Sequence, residues 1–175
     1  MEFKLSQAIE ILSRTPLVVE TFLTGLPDDW TMNNEGGETW SPYDIIGHYI
    51  EGEKNDWIAR MEIILSDKEN KTFKPFNRFA QFEDSKGKTL SQLLDEFKQL
   101  RKENLSRLQS ANITEADLDK TGTHPHFGTV TLRQLLSTWV VHDLSHMNQM
   151  TRVMAKQYKD AIGPWIEFFN VITSR

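Results

Sequence analysis

The chain carries five histidines, His48, His124, His126, His142 and His146, and two of them stand where an inward-facing metal ligand would. Along the last long periodic stretch the apolar stripe reads Leu132, Leu135, Trp139, His142, His146, Met150 and Val153. A spacing of four puts two helical side chains ~40° apart around the axis and ~6 Å apart along it. Their Cβ atoms then lie about 5–6 Å apart, a span that one ion at ~2.0–2.1 Å from each ring nitrogen can bridge. A lone buried histidine usually reads as a hydrogen-bonded core residue. A pair is harder to accommodate, because each buried imidazole needs partners for two nitrogens. Two ligands do not make a tight site, so a third must come from another helix. His48 is the natural candidate, with Gly52 one turn on leaving room beside it. Taken alone, His48 reads equally as a core or rim histidine. His124 and His126, in Thr-His-Pro-His-Phe-Gly shortly before the last long helix, compete for the role or are exposed loop residues.

Three neutral imidazoles on a divalent ion leave a coordination position open, which is the arrangement of a catalytic rather than a closed structural site. All-nitrogen ligation suits a transition metal, with Zn or Ni expected. The open position could ionise a water or a thiol. Any thiol must come from outside, since the chain has no cysteine. Glu51 and Asp143 are candidate acids for orienting the imidazoles, or else solvated surface acids. Gln149, within one turn of His146, is placed to contact substrate or a ligand imidazole. Trp139, one turn before His142, either walls a pocket or packs in the core. A rival constellation is His142-Asp143-Leu144-Ser145-His146, one residue away from the His-Glu-x-x-His of zinc peptidases, with Glu167 as an imagined third ligand. A non-enzyme alternative is a stress-response binding module whose metal is structural or vestigial.

The elements that must position these residues read as helices. Residues 5–25 have helical apolar spacing, with Pro16 expected to kink or split the segment. Ser41 as N-cap, Pro42 in the first turn and Asp44 at the positive end of the dipole start a second helix, expected to run to about residue 66. Residues 67–88 read as a long crossover whose Phe73, Phe76, Phe79 and Phe82 tuck onto the body. Thr89 with Gln92, and Thr131 with Gln134, have capping-box spacing and open the third and fourth helices. Residues 112–127 connect these two helices, and the last one is expected to reach about Tyr158. An aromatic segment from Trp165 to Ile172 follows Gly163-Pro164. No segment shows convincing strand alternation. The expectation is one all-α domain over residues 1–175, a four-helix bundle with a long crossover.

Composition narrows the function classes. With 20 basic and 25 acidic residues the net charge is −5, and Lys and Arg are scattered, so no nucleic-acid partner is expected. No apolar run approaches the ~18 residues of a membrane span, and no secretory signal is visible after Met1-Glu2-Phe3-Lys4. The lack of cysteine excludes disulfides and thiolate-bound metal and fits a reducing, cytoplasmic setting.

Four pieces taken in order carry a family resemblance: Trp40-Ser41-Pro42, Gly47-His48-Tyr49-Ile50-Glu51, Thr131 to Leu136, and His142 and His146 with Gln149. Together they resemble the DinB-like superfamily of metalloenzymes, from the first helix to about Tyr158. The resemblance implies a four-helix bundle, a divalent metal on His48, His142 and His146, and a homodimer. It also implies an activity like that of relatives that transfer low-molecular-weight thiols such as bacillithiol or mycothiol to electrophilic small molecules.

Overall fold

The computed structural model describes residues 1–173. Its helices are α1 (Leu5–Leu23), α2 (Asp28–Thr31), α3 (Pro42–Asn55), α4 (Trp57–Leu65), α5 (Gln81–Asp84), α6 (Leu90–Ser110), α7 (Leu132–Lys156) and α8 (Asn170–Thr173). All three predicted caps form. Ser41, Thr89 and Thr131 each accept from the backbone amide three residues on, and Asp44, Gln92 and Gln134 each return a side-chain acceptor. These boxes satisfy amides that a helix start leaves without partners, and so fix where the long helices begin.

The helices make a four-membered bundle in which α3 and α4 share one edge. Helix α1 packs on α6 and α7, and α3 packs on the same two. The two edges that follow one another in sequence, α1 and α3, are therefore diagonal. The chain returns from α4 to α6 through residues 66–89, which hold α5 and the buried Phe73.

Three expectations change. Pro16 neither splits nor ends α1, which continues through it. The second helix stops at Asn55 and restarts at Trp57, with Asp56 at φ −116° and ψ −77° serving both ends. The region expected to be free of strands contains a hairpin, β1 (Thr121–His124) and β2 (Gly128–Thr131), paired from Thr121↔Thr131 to His124↔Gly128. Its strands are too short to show alternation. Pairing is helped by the crossover, where the Phe73 amide donates to the Thr123 carbonyl at 2.9 Å. Of the four crossover phenylalanines only Phe73 is buried, while Phe79 and Phe82 are exposed.

The core is divided. One apolar cluster holds Leu12, Trp57, Ile58, Met61, Leu108, Leu136 and Trp139; the other holds Val19, Tyr49, Ile50, Leu94, Phe97, Met150 and Met154. Between them each edge of the bundle contributes polar residues at one level: Thr15 from α1, Glu53 from α3, Arg101 and Asn104 from α6, and Asp143 from α7, all buried. Outside, Leu17, Val18 and Phe22 of α1 and Val141 and Leu144 of α7 are exposed. The aromatic C-terminal segment leaves Trp165 and Phe168 in solvent and buries only Ile172. No helix among the described residues is long and apolar enough to cross a membrane.

Candidate metal centre

His48, on the inner side of α3, faces His142 and His146 on α7. Each of the three offers a ring nitrogen, and these atoms lie within 4.8 Å of one another. The Nε2 atoms of His48 and His142 are 3.1 Å apart. Two nitrogens at ~2.0–2.1 Å from one ion, as neighbouring ligands, stand roughly 3 Å apart, so this spacing suits ligation. The donor set fits as well. The Nδ1 atoms of His48 and His142 are buried without hydrogen-bond partners. If one Nε2–H donated to the other Nε2, one ring would be left with an unpaired lone pair and the other with an unpaired N–H. An ion accepting both Nε2 lone pairs leaves both rings as Nδ1–H tautomers.

His146 has its tautomer set. Gln149 Oε1 lies 2.7 Å from His146 Nδ1. An amide oxygen only accepts, so Nδ1 carries the proton and Nε2 presents its lone pair. Burial, reinforced by the other two histidines and Arg78, pushes the His48 pKa down to about 3. Burial and His142 bring His146 down to about 4, with Gln149 opposing. Both rings are therefore neutral at pH 7 and available as ligands.

Aromatic rings enclose the cluster. The Trp40 ring lies 4.7 Å from His48 and stacks on His146 at 5.9 Å. Phe76 from the crossover meets His48 edge-on at 5.7 Å, and Trp57 meets His142 at 5.0 Å. Trp57 can approach because Gly52 is bare: a Cβ there would lie 3.0 Å from Trp57 Nε1. The space at Gly52 thus serves Trp57, not His48 as the sequence suggested. From the sequence alone, Trp40 reads only as a helix-start landmark and Phe76 only as packing.

The other candidates separate. Asp143, not the histidines, holds the central inward position on α7, fully buried, while His142 and His146 sit to one side and are half-buried. Asp143 is not a surface acid. Arg101 Nη1 donates to Asp143 Oδ2 at 2.6 Å and Nη2 to Oδ1 at 3.0 Å. Its Oδ1 is 3.9 Å from His142 Nδ1, beyond a hydrogen bond. Glu51 is buried too, but it accepts from Asn55 at 2.8 Å and no imidazole contacts it within the described bonds. Burial raises the pKa of Glu51. Trp139 is completely buried and stacks on Trp57 at 5.8 Å, so it belongs to the core rather than to a pocket wall. His124 Nδ1 accepts backbone amides of His126 and Phe127 in the hairpin turn, and His126 and Glu167 are exposed. None of these three joins the cluster.

Sequence reasoning missed the layer beneath. Arg101 also donates from Nε and Nη2 to Glu53 Oε1, at 3.0 and 2.8 Å, and Asn104 donates to Glu53 Oε2 at 2.9 Å. A further donation from Arg101 Nη1 reaches the Leu12 carbonyl at 2.8 Å. That carbonyl is free because the residue four ahead is Pro16, which has no N–H to give it. The proline inside α1 therefore opens an acceptor for the buried arginine. Phe97 and Trp139 lie against the guanidinium at 5.0 and 5.1 Å. Burial pushes the Asp143 carboxyl up, but Arg101 outweighs it and holds the pKa low; at Glu53 burial wins and the pKa is raised. Tyr49 ties this layer to the histidines by donating its hydroxyl to the Asp143 carbonyl at 2.7 Å. Asp56, in the break between α3 and α4, is also buried, and its raised pKa reflects burial opposed by Arg60 and His142.

The family model of the DinB superfamily matches residues 11–150, a span that includes all three histidines. The chain belongs to the DinB superfamily. Among solved structures it is similar to YfiT from Bacillus subtilis, described as a probable metal-dependent hydrolase with an unusual four-helix bundle topology. The two share 17% identity over 91% of this chain and 90% of that one, with a TM-score of 0.73. No curated protein matches the chain. The all-helical bundle expected from the sequence is therefore the fold, with the small hairpin added to it.

Proposed function

We propose that this DinB-superfamily member is a divalent-metal-dependent enzyme that activates a nucleophile at a centre held by His48, His142 and His146. The observation that carries this reading is the convergence of three ring nitrogens within 4.8 Å, on rings whose remaining nitrogens lack protein partners in two cases. A divalent ion held by His48, His142 and His146 would supply a Lewis acid, which favours ionisation of a bound water or thiol. Gln149 orients His146, Trp40 and Phe76 exclude water from one side, and the low pKa values of His48 and His146 keep those rings unprotonated.

The preferred nucleophile is a small external thiol, transferred to an electrophilic carbon as the carbon–sulfur bond forms and a leaving group departs with the electron pair. The proton of the thiol is released to solvent. Two features support this choice. Among the described residues, the potential ligands grouped within 4.8 Å of one another at the centre are histidines alone. A thiol ionises with far less help than water does. Hydrolysis is the second reading, favoured by the description of YfiT.

The test is turnover by zinc- or nickel-loaded wild type and His48→Ala of two reporters: an activated ester in water, and monobromobimane with a low-molecular-weight thiol. Thiol consumption that requires both the metal and His48 is expected. Ester cleavage without thiol would favour the hydrolase, and a chain that takes up no metal would overturn both enzyme readings.

A further inference from the structure

The crossover places a cation beside the histidine cluster with no anion to match it. Arg78 lies with its guanidinium carbon 5.1 Å from the Phe79 ring centre and 6.0 Å from that of Trp40, the same indole that stacks on His146. Its charge is close enough to act on both His48 and His146. Every other arginine from Arg60 to Arg152 that is ion-paired finds an aspartate or glutamate, yet no carboxylate lies within ion-pair distance of Arg78 among the described residues. Three residues on, Gln81 is 1% exposed, and neither its amide oxygen nor its nitrogen has a partner. It packs against Gly47, the neighbour of His48, where a Cβ would lie 3.1 Å from the Gln81 Cβ. One short segment thus sets an unpaired cation beside Trp40 and an unpaired buried amide against Gly47.

Charge arithmetic says what this segment would take. Three neutral imidazoles cancel none of the +2 of a divalent ion. Beneath them Arg101, Glu53 and Asp143 bring a formal net charge of −1 when ionised. Arg78 returns a positive charge beside Trp40, the ring that stacks on His146. A neutral substrate would leave that excess uncompensated, whereas an oxyanion on the substrate can meet Arg78 through its planar donors.

We propose that Arg78 is the anion-binding residue of this site, so that the substrate or the co-substrate thiol carries a carboxylate or phosphate remote from its reacting atom. This rests on the metal reading above, and the experiment separates the two. Zinc content is measured first, and zinc-loaded wild type, Arg78→Gln and Arg78→Lys are then titrated calorimetrically with butyrate, succinate and 3-phosphonopropionate. Butyrate offers one carboxylate; the other two add a second anion at the far end of a short chain.

Wild type should bind at least one of the two double anions about tenfold more tightly than butyrate. Arg78→Gln should lose that preference with butyrate affinity and zinc content unchanged, and Arg78→Lys should keep part of it. Whichever double anion gains more identifies carboxylate or phosphate. No preference in wild type, or a preference that survives Arg78→Gln, overturns the inference while leaving the metal reading intact. A wild type that takes up no zinc overturns the metal reading. The same titrations of the zinc-free chain then read Arg78 by itself, and affinity for the double anions that does not respond to Arg78→Gln overturns this inference as well.

Discussion

Two polar clusters share the middle of the bundle and obey opposite rules. In the lower one, Arg101 gives its Nε and both terminal nitrogens to Glu53, Asp143 and the Leu12 carbonyl, and Asn104 takes the remaining Glu53 oxygen. In the upper one, His48 and His142 turn Nε2 toward Nε2 and leave Nδ1 of both rings without a partner. A buried polar group without a partner costs about 1–3 kcal/mol. One layer is satisfied within the chain, whereas the other gathers three ring nitrogens that the proposed ion would join. The saturated layer holds the helices at one level, and the open layer uses that rigidity to keep three lone pairs convergent.

The comparison breaks most sharply at Arg101. Arg101→Met removes the cation that bridges two buried carboxylates and should cost about 3–5 kcal/mol, since the partners left behind are uncompensated. At this chain length that is a fall in Tm of about 6–20 °C. His48→Ala deletes a ring whose Nδ1 was already unsatisfied, so in metal-free protein it should cost less than about 2 kcal/mol while abolishing metal uptake. Urea unfolding of both variants without metal is the check. Equal losses would mean that both layers are structural and that the contrast has no functional content.

Protons separate the layers next. His48 and His146 have folded-state pKa values of about 3 and about 4, below the ~6.5 of an unfolded histidine. Between those limits the unfolded chain binds more protons than the folded one, so their contribution is whole above ~6.5 and is lost as the pH falls toward about 4 and then 3. Metal-free protein should lose on the order of 3–4 kcal/mol between pH 7 and pH 5, and a saturating metal, which competes with protons for the same nitrogens while the unfolded chain still takes them up, should leave that slope in place or steepen it. Melting curves from pH 7 to pH 5, with and without metal, decide it. A slope that is the same in His48→Ala would assign the acid sensitivity elsewhere.

The sequence showed the upper layer better than the lower one, for a physical reason. Imidazoles at positions 48, 142 and 146 are conspicuous because histidine is scarce and helical spacing predicts direction. The capping boxes were legible because they are local. Arg101, Glu53 and Asp143 lie on three different helices, and each alone looks like an ordinary charged residue; only the packing of α3, α6 and α7 makes them partners. The sequence therefore placed His142 and His146 on the inward stripe that Asp143 occupies. Pro16 was visible, but its use was not: it frees the Leu12 carbonyl, whose acceptor role depends on Arg101 of another helix. The stop at Asp56 was hidden because the apolar stripe continues across it through Trp57, Met61 and Ile64.

The smallest expected effect tests the one place where the open layer borrows the rule of the saturated one. His146 is the only ring of the three with a hydrogen bond from its Nδ1 to a protein acceptor, the 2.7 Å contact with Gln149. If that bond holds the ring with Nε2 bare, Gln149→Ala should weaken zinc affinity by about tenfold, the lower end of what such outer contacts contribute, without changing the stoichiometry. Gln149→Glu, which keeps an acceptor and makes it anionic, should restore the affinity or exceed it. The metal-free fold should barely respond to either, because Gln149 is only half-buried and lies outside the Arg101 layer. Calorimetric zinc titration of the three proteins reads this directly. Equal zinc affinity in all three would show that His146 needs no orienting partner. The stacked Trp40 ring would then be what holds it, and the open layer would depend on aromatic packing alone for its geometry.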